Sequence, residues 1–160
     1  MIKEASGDIL LSGAQVIAHG VAPGDHFASG LALALRERWP AMYKDFRHYC
    51  HGRSVEPGGL WTWGGTGGVR IVSLFTQEPA AHEHAHPGKA RLEHVSRALR
   101  ELHRLVLTEN FTSLALPRLA TGVGGLEWPA VHALVETHLG RLEIPVTVYT
   151  TYRPGIKAAE

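Results

Sequence analysis

The second half of the chain alternates strand-like apolar runs with longer helical ones, and this alternation constrains the fold most. The runs at 68–76, 112–116 and 145–152 are predicted strands, and 90–110 and 129–142 between them are predicted helices. Helix 90–110 has apolar residues every three or four positions, the spacing of one buried stripe. Strands joined by helices favour right-handed crossovers and a sheet covered on both faces. The predicted fold class is α/β with a central mixed, largely parallel sheet.

The first half supplies shorter elements to the same sheet. We predict strands at 8–11, 14–20 and 58–65 from short apolar or alternating runs. Segments 27–39 and 41–51 are predicted helices, separated by Pro40.

The length of 160 residues suits one domain around a single core, and 44% apolar residues argue against disorder. We expect residues 1–152 to form that domain. The last segment, RPGIKAAE (153–160), is predicted to be a flexible tail.

Charge and cysteine content narrow the function classes. With 16 basic and 15 acidic residues the chain lacks the basic excess typical of nucleic-acid binders, so nucleic acid is an unlikely partner. Cys50 is the single cysteine, and the first residues lack the pattern of a signal peptide. No run approaches the about 20 apolar residues that span a membrane. We expect a cytoplasmic protein with no membrane partner.

Glycines cluster in ALPRLATGVGGLEW (115–128), between a predicted strand and a predicted helix. Such turns lie at the ligand-binding edge of an open α/β sheet, and successive backbone N–H groups there can form an anion site. The turn lacks the lysine of a P-loop and the spacing of a dinucleotide fingerprint. A diphosphate is the natural occupant; the alternative is a structural loop that binds nothing.

A second loop of this kind occurs earlier in the chain. VIAHGVAPGDHFASGLALAL (16–35) passes from a strand into a helix that begins with small residues, where phosphate can meet backbone N–H groups. Two such loops at one sheet edge would hold the two phosphates of one diphosphate.

Four segments together resemble the macrodomain family of ADP-ribose-binding modules. They are GDIL (7–10), VIAHGVAPGDHFASGLA (16–32), IVSLFT (71–76) and LALPRLATGVGGLEW (114–128) followed by VTVYT (146–150), and they occur in the family's order. The last segments resemble most the branch containing terminal ADP-ribose protein glycohydrolases and DNA ADP-ribosyl glycohydrolase antitoxins. The resemblance covers nearly the whole chain and implies a three-layer α/β/α fold.

The resemblance also implies ligand contacts. Asp8 would accept a hydrogen bond from the adenine amino group, with Ile9 beside the ring, although for Asp8 taken alone a turn cap with Gly7 is the favoured interpretation. The other implied positions face the distal ribose, the diphosphate or the cleft walls: His19, Gly20, Val21, Ser29, Gly30, Leu31, Thr76, Pro117, Thr121, Gly122, Val123, Gly124, Gly125 and Tyr149. Tyr149 has an alternative role in the core.

Two positions depart from the enzymes of that branch. Gln77 stands where the resemblance implies a nucleophilic lysine, and Gly124 stands where it implies an assisting acid. A glutamine amide forms no Schiff base, and glycine moves no proton. The catalytic residues are therefore unknown, with Asp25, His26 and Gln77 as candidates; solvated loop residues are the alternative for the first two.

The resemblance implies a hydrolase that removes ADP-ribose from glutamate or aspartate esters of proteins, without the lysine nucleophile and without a cofactor. Its partners would be ADP-ribose and ADP-ribosylated proteins. The alternatives are a non-catalytic ADP-ribose reader and a deacetylase of O-acetyl-ADP-ribose.

Three histidines alternate in HEHAH (82–86), after Gln77. In an extended segment His82, His84 and His86 would point the same way, as a zinc or nickel site needs. A solvated loop or a lid over the cleft is the favoured interpretation, so no metal is predicted.

Overall fold

The computed structural model describes residues 2–82 and 85–160 as a six-stranded sheet between two layers of helices. The strands lie in the order β1-β6-β5-β2-β4-β3, all parallel except the edge strand β3. The element bounds are β1 Ile2–Gly7, β2 Val16–Val21, α1 Gly30–Arg38, α2 Pro40–Cys50, β3 Leu60–Gly64, β4 Arg70–Phe75, α3 Leu92–Glu109, β5 Leu114–Pro117, α4 Trp128–Leu139 and β6 Val146–Tyr152. The predicted α/β class with a mixed, largely parallel sheet is confirmed.

One face of the sheet is covered by α3 and α4. The stripe of α3, with Val95, Leu99, Leu102 and Val106, is buried against apolar residues of β2, β4, β5 and β6. This burial explains why the predicted helix 90–110 forms, since its apolar stripe faces the sheet along its full length. No helix among the described residues is long and apolar enough to cross a membrane.

The opposite face carries a smaller, aromatic core beneath α1 and α2. Phe27 and Phe46 are fully buried, with ring centroids 4.8 Å apart. Phe46 also packs against Phe75 of β4 and Trp61 of β3. Pro40 starts α2 at its first position, where the missing N–H has no helical partner to lose.

The start of the chain differs from the prediction. Residues 9–11, predicted to be part of a strand, form a 3-10 turn in which Leu10 N–H donates to Oδ1 of Asp8 at 3.0 Å. The strand lies earlier, at Ile2–Gly7, and pairs in parallel with β6. Its sequence escaped prediction because an edge strand with Lys3 and Glu4 exposed has little apolar signal.

The predicted flexible tail is packed in the structure. Residues 153–160 turn back over the end of β1, where Arg153 N–H donates to the carbonyl of Gly7 at 2.9 Å and Asp8 N–H donates to the carbonyl of Ile156 at 2.7 Å. A Cβ on Gly7 would lie 2.8 Å from the Ile156 carbonyl oxygen. Composition alone did not indicate this contact, because backbone groups make most of it.

A buried polar pair lies within the aromatic core. His19 of β2 and Ser73 of β4 are register partners, and Nε2 of His19 is 2.9 Å from Oγ of Ser73. The His19 ring contacts Phe27 edge-on, and its Nδ1 has no hydrogen-bond partner among the described residues. Burial lowers the pKa of His19 to about 3, so its imidazole is neutral at physiological pH.

This burial predicts a pH-dependent stability. Below pH 6.5 the unfolded chain protonates His19 while the folded protein does not, so the free energy of unfolding falls as the pH falls. From pH 7 to pH 5 this one group removes about 2 kcal/mol. Substitution His19→Gln, which retains a hydrogen-bonding group near Ser73, is expected to abolish that part of the loss.

Urea unfolding followed by tryptophan fluorescence at pH 7, 6 and 5 measures the effect. The pKa of His138 is also lowered by burial, but this residue is present in both proteins and cancels in the difference. Equal pH slopes for the wild type and the variant would contradict the prediction.

Candidate ligand-binding cleft

A cleft of about 980 Å³ opens at the carboxyl ends of β2, β4 and β5. Its walls come from segments within 19–32, 47–52, 77–82, 85–87 and 117–124. The volume lies within the range of small-molecule sites. Parallel pairing places these strand ends side by side, which brings the two predicted loops together at one edge.

The first wall is the loop between β2 and α1. The Asp25 carboxylate accepts hydrogen bonds from Ala22 N–H at 3.2 Å and from Phe27 N–H at 2.8 Å. Phe27 has a φ of 52°, an uncommon conformation that these bonds and its buried ring hold. Asp25, a candidate catalytic base, is thus engaged in shaping the loop.

Arginines from both helices hold the same loop from behind. Arg36 of α1 donates to the carbonyl of His26 at 3.1 Å. Arg47 of α2 donates to the carbonyls of Gly24 and Asp25. The His26 side chain itself is exposed, lines the cleft and has no hydrogen-bond partner among the described residues.

The loop leads into α1, and the N-terminus of this helix lies at the cleft. Ser29, Gly30 and Leu31 line the cleft, as predicted from the small residues there. Gly30 has a φ of 59°, which explains why glycine is needed at this first helical position. The first N–H groups of a helix lack internal partners and carry partial positive charge.

The glycine turn forms the opposite wall. It is closed by Gly125 N–H donating to the Gly122 carbonyl and Leu126 N–H donating to the Ala120 carbonyl, both at 3.0 Å. The N–H groups of residues 121–124 make no hydrogen bond within the described part of the chain. Gly122, Val123 and Gly124 line the cleft, so the turn offers unpaired donors beside it.

The glycines of this turn have different roles. A Cβ on Gly122 would meet no atom within 4 Å, so its open side faces free space. A Cβ on Gly124 would lie 2.7 Å from the Ala120 carbonyl oxygen and 2.9 Å from Cβ of Ala90. Ala90 N–H also donates to the Gly124 carbonyl at 3.0 Å. Position 124 therefore has no room for the acidic side chain that the resemblance implied.

Gln77 is likewise a structural residue in this chain. Its side chain is buried, and its Nε2 donates to the carbonyl of Gly88 at 3.1 Å. Its backbone forms an isolated antiparallel bridge with Ala90. These contacts close the base of the histidine loop (residues 78–89).

Glu78 strengthens the base of the histidine loop. Its carboxylate accepts from Nε of Arg91 at 2.8 Å and lies 2.9 Å from Nε2 of His94. The hydrogen bond with His94 contributes most to lowering the pKa of Glu78 below its ordinary value, and desolvation opposes it.

The histidine loop projects two of its three alternating histidines to the cleft. His82 and His86 line it, while His84 lies outside the described residues. Within residues 2–82 and 85–160, no group of three histidine, cysteine, aspartate or glutamate side chains is close enough to hold a metal ion.

The charges around the cleft are mostly cationic. Its described lining includes the guanidinium groups of Arg47 and Arg118, whereas Asp25 is the only carboxylate among those lining residues. Both Asp25 oxygens are already hydrogen-bonded. The surroundings therefore favour an anionic ligand.

Sequence reasoning missed several cleft residues, among them Arg47, Cys50 and Arg118. The first two lie on α2, whose end reaches the cleft only through packing of the helix. Burial raises the pKa of the Cys50 thiol, which disfavours the reactive thiolate. Arg118 directly follows the Pro117 strand end, and that position was its only signal.

Several predicted contacts lie elsewhere in the structure. Thr76 is fully buried beside Gly20, and its Oγ1 has no partner in the part of the chain that is described. Asp8, Ile9 and Tyr149 lie outside the lining of the cleft. Tyr149 lies within β6, one strand from Pro117, which is its register partner, and Asp8 and Ile9 follow β1, one strand further.

No family model matches the chain. It is 27% identical over 152 residues to the DNA ADP-ribosyl glycohydrolase of Thermus aquaticus, covering 93% of this chain and 41% of that protein. Over 83 residues it is 30% identical to human ADP-ribose glycohydrolase OARD1, covering 52% of this chain and 51% of that one. The chain thus spans about half or less of the length of these two relatives.

The macrodomain of Thermus aquaticus DarG superposes with a TM-score of 0.80 at 25% identity, covering 94% of this chain and 98% of that chain. The chain therefore has the macrodomain fold, and its sequence is similar to those of DNA ADP-ribosyl glycohydrolases and of OARD1.

Proposed function

We propose that this macrodomain binds ADP-ribose and hydrolyses the ester that joins ADP-ribose to glutamate or aspartate side chains of proteins, without a protein nucleophile. The observation that carries the proposal is the cleft itself. Its cationic lining lies between two sets of unpaired backbone N–H groups, at the start of α1 and in the glycine turn. The names of the relatives, ADP-ribosyl and ADP-ribose glycohydrolase, support the same ligand.

Binding depends on the two loops acting from opposite walls. One phosphate would meet the N-terminus of α1 near Gly30, and the other would meet the turn near Gly122. Arg118 adds positive charge without a competing free carboxylate among the described lining residues. The loop groups are held in place before the ligand arrives, so little ordering opposes binding.

The residues of this cleft favour an ester substrate. Water adds to the anomeric carbon of the distal ribose while the bond from that carbon to the side-chain carboxylate oxygen breaks. The carboxylate departs as a stable anion and needs no acid, which suits a site with Gly124 at the position of the assisting acid. One proton of the water remains on the new hydroxyl group, and the other must pass to a base.

His26 is the better placed of the two loop candidates for that base. Its imidazole is exposed at the cleft, whereas the Asp25 carboxylate accepts two backbone hydrogen bonds. Gln77 is excluded from this role by its chemistry. Backbone donors that hold the diphosphate and ribose would supply the orientation of the reacting groups.

ADP-ribosylated DNA is a second candidate substrate. Arg36, Arg53 and Arg118 lie over the rings of Tyr43, Tyr49 and Trp128, at 4.3, 4.7 and 5.7 Å from their centroids. None of the three arginines has a carboxylate partner among the described residues. Exposed arginines beside aromatic rings suit phosphates and unpaired bases, and the relative's name points to DNA. A near-neutral total charge does not prevent such local clustering.

The binding proposal predicts a strong effect of bulk and negative charge at Gly122. Substitution Gly122→Glu adds both on the open side of the turn, where no atom lies within 4 Å. We expect the Kd for ADP-ribose to rise at least about tenfold, or ~1.4 kcal/mol, by calorimetry. Gly122→Ala is the matched control and should change the Kd less than about threefold. Unchanged affinity in a folded Gly122→Glu protein would place the ligand elsewhere.

The hydrolysis proposal is tested by the release of labelled ADP-ribose from a glutamate-modified protein. We expect multiple turnovers, and a rate at least about tenfold above that on an ADP-ribosylated single-stranded DNA, since the ester needs no acid. Faster release from DNA would favour the second candidate. Tight ADP-ribose binding with no release from either substrate would make the protein a reader.

The different roles of His26 and Asp25 predict that substituting the first lowers the rate and substituting the second lowers the stability. His26→Gln should lower kcat by about 100-fold, the scale of a lost general base. Asp25→Asn should lower the free energy of unfolding by about 1 kcal/mol through the loop hydrogen bonds, with kcat within about threefold. Single-turnover rates and urea unfolding separate the two effects. A large kcat loss only in Asp25→Asn would reverse the assignment.

A further inference from the structure

The segment 153–160 covers the one part of the carboxyl edge that the cleft does not reach. It leaves β6 and passes over the end of β1, where Gly155 N–H donates to Oδ2 of Asp8 at 3.0 Å. Leu10 N–H donates to Oδ1, so both carboxylate oxygens of Asp8 accept hydrogen bonds. Asp8 is only 8% exposed, so this segment closes access to its carboxylate.

The end of the segment is held by a second set of contacts. The Glu160 carboxylate accepts from Ser12 Oγ at 2.6 Å, from Gly13 N–H at 2.8 Å and from the Tyr149 hydroxyl at 2.9 Å. Burial and the nearby carboxylate raise the pKa of Tyr149 to about 12, so its hydroxyl remains a donor. Glu160 therefore fills a polar subsite built by three donors.

Most of the segment nevertheless remains in water. Ile156 is 53% exposed, and residues 153–157 are exposed as a group without helix or strand structure. Only Ala158 packs against the core cluster of that face. A short exposed segment held by hydrogen bonds with little apolar packing opens locally far more readily than a core element does.

The covered groups adjoin the cleft. Pro117 lines the cleft, and its register partner on β6 is Tyr149. A nucleoside diphosphate ligand whose phosphates lie between Gly30 and Gly122 therefore has one end within reach of this neighbouring strand end. A purine amino group is a donor of the same kind as the Gly155 N–H that Asp8 now accepts.

We infer that segment 153–160 competes with the nucleoside end of the ligand for Asp8 and Tyr149, and thereby sets the affinity of the cleft for ADP-ribose. The inference rests on the proposed function. Ligand binding displaces Gly155 and Glu160, and the apparent Kd equals the intrinsic Kd divided by the fraction of time for which the segment is open. The affinity of the cleft for a ligand that lacks the nucleoside, such as ribose 5-phosphate, does not depend on the segment.

Two point variants of the full chain test this competition. Gly155→Pro removes the N–H donor and cannot adopt the observed φ of 72°, and Glu160→Gln removes the charge held by the three donors. If the segment is open about a tenth of the time, Gly155→Pro should lower the Kd for ADP-ribose by up to ~10-fold, and Glu160→Gln by about threefold. The matched control is Glu143→Gln, an exposed carboxylate before β6.

Calorimetry with ribose 5-phosphate is the internal control, and all four proteins should bind it equally. Unchanged or weaker ADP-ribose binding in both segment variants, with ribose 5-phosphate binding intact, would overturn this inference alone. Failure of the wild type to bind either ligand would overturn the proposed function and this inference with it.

Hydrogen exchange on the unmodified protein supplies a readout that a structural role of the segment would not produce. Adding ADP-ribose should increase amide exchange in residues 153–160 while it slows exchange in residues 121–124. Equal or greater protection of 153–160 in the presence of ADP-ribose would contradict the competition.

Discussion

Parallel pairing of five strands is the constraint on which the rest of this molecule depends. Because β1, β6, β5, β2 and β4 run in the same direction, every loop that follows one of them emerges at one edge of the sheet. The loop after β2, the histidine loop after β4 and the glycine turn after β5 therefore meet around one cleft. The same pairing brings Asp8, after β1, to this edge one strand beyond β6. A ligand site and its neighbouring covered subsite are consequences of that single geometric fact.

Contacts within the protein, rather than ligand contacts alone, explain the glycine-rich turn. The Gly124 backbone approaches Ala90 and the Ala120 carbonyl so closely that any side chain would displace them, and its carbonyl accepts from Ala90 N–H. This contact joins the glycine turn to the base of the histidine loop. Gly122, two residues earlier, has open space on its free side. Glycine at position 124 therefore permits close packing, whereas glycine at position 122 leaves open space beside the cleft.

The chemistry that such a cleft favours follows from what occupies its walls. Gln77 and Gly124 are integrated into the scaffold, and the Cys50 thiol is disfavoured as a thiolate. What remains is a set of oriented N–H groups, cationic side chains and an exposed histidine. Oriented donors stabilise developing charge without reorganising, and they act most strongly on a substrate whose leaving group is already a good anion. The proposed ester hydrolysis requires only these groups.

Local sequence patterns determined much of this fold before tertiary structure was known. The stripe of α3, Pro40 at the start of α2, the β-branched strand β6 and the glycine turn each have a short-range signal, and the α/β class followed from their order. Ten of the positions implied by the family resemblance line the cleft, among them Gly30 and Gly122. Strand β1 and the packed segment 153–160 had no such signal, because the hydrogen bonds that hold them join groups far apart along the chain.

Tertiary structure alone decided which site residues are free to act. Asp25 and His26 are neighbours in sequence, yet one carboxylate is satisfied by two N–H groups and the other side chain faces the cleft. His19 and Asp8 carry polar groups suited to ligands. The His19 ring is buried against Phe27, however, and the Asp8 carboxylate accepts a hydrogen bond from Gly155 N–H. Sequence by itself specifies the chemical groups and the order of the elements. Their availability depends on partners far away along the chain, which only the folded packing brings into contact.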